Sequence, residues 1–162
     1  MITNAGSHRA LAIPLSTPLP GRSMCMVVYV AASAPLSQVA DHMPPAPFSA
    51  RMLRPPEEGV RAHLSAPHVY ALGAHTGCCC GFAYESGGAD EAAGRESVRQ
   101  LADYLGAAVR AAGPVELYAC WNGDEAEPVE VRTTVTPADF PADAESFALQ
   151  ERCLATVIAA RS

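Results

Sequence analysis

The stretch that most limits the fold is Cys25-Met26-Val27-Val28-Tyr29-Val30, followed by Ala31-Ala32. It is continuously apolar and dominated by β-branched and aromatic residues. Such a run reads as a strand buried on both faces, and hence as a central member of a sheet. On this reading Cys25 belongs to the core.

The rest of the chain is arranged around that strand. Residues 34–47 carry Pro35, Pro44, Pro45 and Pro47 and read as a connection containing Asp41 and His42. Phe48, Ala50 and Met52 alternate, which predicts a short strand over 48–53. Pro55-Pro56-Glu57-Glu58 opens a short helix running to about Leu64. Proline suits the first helical turn, carboxylates suit the positive end of the helix dipole, and Val60 and Leu64 share the inner face. Val98, Leu101, Leu105, Ala108, Val109 and Ala112 recur at helical spacing, so residues 92–112 form the principal helix, ended by Gly113-Pro114.

Two hairpins are expected. Val69-Tyr70-Ala71-Leu72 and the segment Cys78 to Tyr84 flank His75-Thr76-Gly77, a glycine-containing turn. Val115 to Trp121 and Val129 to Val135 flank the turn Asn122-Gly123-Asp124-Glu125-Ala126-Glu127-Pro128. Thr136-Pro137-Ala138-Asp139 carries a capping threonine, a proline and an acid, the start of a short helix that Pro141 stops. Phe147 to Ala160 reads as a terminal helix with Phe147, Leu154, Val157 and Ile158 inward; a strand alternating at Phe147 and Leu149 is the other reading, and Cys153 packs in either. The fold class is therefore α+β: a mixed, largely antiparallel sheet of about five or six strands with helices mainly on one face. Residues 1–23, broken by Pro14, Pro18, Pro20 and Gly21, read as a flexible tail before a single α+β domain over 24–162.

The chemistry centres on His75-Thr76-Gly77-Cys78-Cys79-Cys80-Gly81. If Cys78 to Cys80 begin a strand, Cys78 and Cys80 point to one side and Cys79 to the other. Two thiols with an imidazole in the turn suit a soft or borderline cation such as zinc. His75, Cys78 and Cys80 are the candidate metal ligands, with Cys120, or else His63 or His68, completing the set. The spacing contains no C-x-x-C pair and matches no two-knuckle zinc pattern. The competing reading is packing, because free cysteine is a small, commonly buried hydrophobe. A third reading is a thiol enzyme, in which a cysteine of the 78–80 stretch is activated by His63, His68 or His75 with Glu85 orienting the ring. No arginine stands where a phosphatase-type cysteine loop requires one.

Charge and composition narrow the function classes. All 11 basic residues are arginine, which removes any role for a Schiff-base or phosphate-loop lysine. The net charge of −6 argues against a nucleic-acid partner, and no apolar run approaches a membrane span. Six clustered cysteines without a secretory signal point to reduced thiols in the cytoplasm rather than to a disulfide scaffold. A protein partner or a second copy of the chain is compatible with this surface. The turn bearing Trp121, Asp124, Glu125 and Glu127 is the candidate acidic docking element.

Overall fold

The computed structural model describes residues 25–42 and 44–160. The expected tail over 1–23 lies outside the described residues. The chain is α+β, with a mixed six-stranded sheet and a second sheet of two short strands.

Along the chain the strands are β1 (Met26–Ala32), β2 (Phe48–Met52), β3 (His68–Ala74), β4 (Tyr84–Glu85), β5 (Val115–Trp121), β6 (Val131–Val135), β7 (Ser146–Phe147) and β8 (Cys153–Val157). The helix α1 spans Glu91–Ala112, and a 3-10 helix spans Pro55–Ala62. The large sheet runs β2-β3-β1-β5-β8-β6. All its pairs are antiparallel except β6 with β8, which is parallel. β1 lies inside the sheet between β3 and β5, as its unbroken apolar sequence requires.

The two-residue period of a strand divides the side chains between two apolar clusters. Val28, Val30 and Ala32 of β1, with Tyr70 and Leu72 of β3 and Val115 and Leu117 of β5, meet the stripe Val98, Leu101, Leu105 and Val109 of α1. Fully burying each such Leu or Val contributes about 1.5–3 kcal/mol relative to leaving it in water, so this face supplies most of the helix's reason to fold. Tyr29, Ala31, Val69, Ala71, Tyr118 and Cys120 point the other way, onto Val60 of the 3-10 helix and Leu64. α1 covers one face of the sheet and the Pro55–Ala62 segment the other, where the sequence reading expects helices mainly on one face.

Three local expectations are corrected. The residues after Cys78 do not return as a strand beside β3: Cys79–Gly81 is a 3-10 turn, and β4 pairs with β7. β5 and β6 do not form a hairpin either, because β8 inserts between them. The expected terminal helix is instead β7 followed by β8. Leu154 and Val157 are both buried as expected, but a strand flanked on both sides satisfies them on two different faces. Thr136 does open the expected short helical turn, the 3-10 segment Pro137–Asp139, where its N–H and hydroxyl both donate to Asp139 Oδ2 at 2.7 and 2.9 Å.

Candidate metal centre

β1 begins where β3 and β5 end, because both neighbours are antiparallel to it: Met26 pairs with Trp121, and Val28 with Leu72. This end of the sheet gathers three segments. Cys25 precedes β1 and is fixed by its carbonyl, which accepts the Asn122 amide at 2.8 Å. Past Ala74 the chain turns sharply, with Gly77 N–H donating to the Ala74 carbonyl (2.9 Å) and Ala74 N–H to the Cys78 carbonyl (3.3 Å). Cys78 is extended and Cys79–Gly81 then coils.

The result is a group of three thiols. The Sγ atoms of Cys25, Cys78 and Cys80 all lie within 4.8 Å of one another, with Cys25 and Cys78 partly buried and Cys80 exposed. The Met26 amide donates to Cys80 Sγ at 3.3 Å, and the Thr76 hydroxyl lies 3.4 Å from Cys78 Sγ. Burial works to raise the Cys78 thiol, but hydrogen bonds from Thr76, Cys80 and Cys25 outweigh it and bring the thiol below its ordinary range. Burial pushes Cys80 up to about 11, with Cys78 and Cys25 adding to the rise against the Met26 hydrogen bond. Of Cys78 and Cys80, the thiolate therefore forms more readily at Cys78.

Cys78 and Cys80 thus share a side and Cys79 takes the other, as the alternation predicts, although a 3-10 turn rather than a strand produces it. Cys79 is buried in the core beneath α1, where its thiol donates to the Leu72 carbonyl at 2.9 Å and burial pushes its ionisation up.

The other expected ligands stand elsewhere. Cys120 is fully buried in the opposite cluster with Tyr29 and Val60. Burial, then Glu125 and Asp124, push its thiol up to about 12. His75 is outside the group. Its backbone N–H donates to Ser97 Oγ at 3.2 Å and its Nδ1 lies 3.0 Å from the same oxygen, so the ring is turned toward α1. His63 packs against Tyr118, with ring centroids 5.1 Å apart, on the opposite face. His68 pairs with Ala32, at the far end of β1. Cys25, placed in the core by its apolar run, is the member of the group that the sequence reading assigned elsewhere. Its position directly before the central strand becomes informative only once β3 is known to be a neighbour of β1.

In the acidic turn after Trp121, Asp124 and Glu125 are folded inward whereas Glu127 is exposed. Asp124 and Glu125 are 6% and 7% exposed, and Glu125 accepts the Tyr29 hydroxyl at 3.3 Å. No helix of the described residues is long and apolar enough to cross a membrane. Comparison with protein-family models, with curated proteins and with solved structures finds no match to this chain.

Proposed function

We propose that this chain binds one zinc-like metal ion through the thiolates of Cys25, Cys78 and Cys80. The observation that carries the reading is the convergence of three sulfur atoms within 4.8 Å, from segments far apart in sequence. Soft thiolate donors suit zinc or copper(I) and disfavour magnesium or calcium. Three protein ligands leave the fourth tetrahedral position to a water or to an incoming group, the pattern of an exchangeable rather than a closed structural site. The exposure of Cys80 gives such a group an approach from solvent.

Elemental analysis of the reduced, purified protein tests this. About one equivalent of zinc or a similar ion is expected, and cobalt substitution should bring sulfur-to-metal charge-transfer absorption. Cys25→Ser and Cys78→Ser should lose the ion, whereas Cys120→Ser and His75→Ala should retain it. A protein that folds without metal and takes up none, or a Cys25→Ser variant that binds as tightly as the parent, overturns the assignment.

A further inference from the structure

Metal is not all that three clustered thiols can receive. Cys25, Cys78 and Cys80 stand in no disulfide, none of them is fully buried, and their three sulfur atoms lie within 4.8 Å of one another. The Cys80 sulfur already accepts the Met26 amide at 3.3 Å, so the bridge is sought at Cys78, and the question is which partner it takes. Cys80 is two residues away on the same tight turn, and a bridge there must close across a single residue. Disulfide geometry tolerates only a narrow range of Cβ separations and a near-perpendicular torsion, so that closure is strained. Cys25 comes from a separate segment that the β1–β3 pairing already holds alongside, and its side chain approaches without a ring constraint.

We infer that peroxide converts this group into a Cys25–Cys78 disulfide, a modification that takes two of the three ligands and releases the ion. The inference rests on the metal site proposed above for its consequence, though the bridge itself needs no metal. In the first step the Cys78 thiolate attacks one oxygen of hydrogen peroxide. The O–O bond breaks, hydroxide leaves, and Cys78 becomes a sulfenic acid, having given two electrons to the peroxide. In the second, the Cys25 thiolate attacks the Cys78 sulfur. The S–S bond forms, the S–O bond breaks, and a second hydroxide leaves. Two thiolates and one peroxide thus yield one disulfide and two hydroxides. Cys80 is left as a lone thiol, too few ligands to hold the ion. Cys79 and Cys120, both buried, stay reduced. A dithiol reductant reverses the bridge and restores the site.

The test titrates the reduced, metal-loaded chain with hydrogen peroxide. Thiols are counted after unfolding, released zinc is read with a chelating dye, and bridged peptides are mapped by mass spectrometry. The thiol count should fall from six to four, one ion should leave per bridge, the mapped link should join Cys25 to Cys78, and dithiothreitol should restore both counts. Cys153→Ser should behave like the parent apart from its one missing thiol. Cys25→Ser should give no inter-segment link and a Cys78 sulfenic acid that a dione reagent traps. Persistence of all six thiols, a Cys78–Cys80 link, or over-oxidation of Cys78 with Cys25 still free would each overturn the inference. The mapping on the parent chain stands without any variant. Failure of the metal reading is separately visible, as an absence of bound ion before any peroxide is added.

Discussion

The Tyr29 hydroxyl donates to Glu125 across 3.3 Å within the cluster on the face opposite α1. The tyrosine is 0% exposed and the carboxylate 7%, so neither group has free access to water in place of the other. Tyr29→Phe keeps the ring and removes the donor, leaving a buried carboxylate one hydrogen bond short. A loss of about 1–3 kcal/mol in urea unfolding is expected. The variant also has a pH signature. Burial first, and then Glu125 and Glu57, hold the Tyr29 hydroxyl well above the ordinary tyrosine range. A raised value means the folded state favours the neutral phenol. Its contribution is complete below about pH 10 and is lost as pH climbs beyond it. The alkaline fall in stability should therefore be shallower in Tyr29→Phe than in the parent.

An acid-side counterpart lies at Glu57. Arg51 donates to both its oxygens, at 2.8 and 2.6 Å, and the Arg54 amide donates to Oε2 at 2.7 Å. Burial alone would raise the carboxyl, but these donors outweigh it and hold the group below the usual carboxylate range. A depressed value means stability that is present above the unfolded carboxylate range and lost as pH falls through the folded one. Glu57→Gln should cost about 1 kcal/mol at pH 7, a modest figure because the Arg51 side chain is 39% exposed and solvent screens the pair. It should also flatten the stability profile below about pH 4.5. A profile parallel to the parent's across the acid limb would remove Glu57 as its cause.

Two glycines in α1 should respond with opposite signs to the same change. Replacing a mid-helix glycine by alanine ordinarily stabilises by about 0.5–1 kcal/mol. At Gly106 an added Cβ would sit 3.4 Å from Arg110 Nη1, the end of a flexible side chain, and 3.8 Å from Pro137. Gly106→Ala should show the ordinary gain. At Gly94 the same carbon would lie 2.5 Å from the Ala83 carbonyl oxygen and 2.9 Å from Tyr84 Cβ. There the chain leading into β4 presses on the helix, and Gly94→Ala should lose about 1–3 kcal/mol. Urea midpoints of the two variants decide it; equal shifts would mean that the close approach at Gly94 carries no energetic weight.

Periodicity made part of this fold legible. α1 was readable because Val98, Leu101, Leu105 and Val109 repeat at the helical spacing and Gly113-Pro114 closes it. β1 was readable because Val27 to Val30 leave no polar face. Pairing was not legible in the same way. The pairs expected to form hairpins are sequence neighbours, whereas β5 finds β1 and β8, and nothing local in Val115 to Trp121 names either partner. Residues 147–160 satisfied a helical stripe and a strand alternation together, and only a berth between β5 and β6 decides between them. The same division holds at the candidate site. The shared side of Cys78 and Cys80 follows from spacing, while the arrival of Cys25, and the turning of His75 toward Ser97, depend on contacts between distant segments.

The placement of β1 between β3 and β5 has a consequence for how the protein is made. β1 emerges from the ribosome ahead of both strands that flank it, and Val115 follows Ala32 by roughly 4–17 s at the usual rate of about 5–20 residues per second. Throughout that interval the nascent chain carries an apolar segment with at least one edge unpaired. Such a segment is an attractive hold for a chaperone and a liability for the polysome when none is at hand.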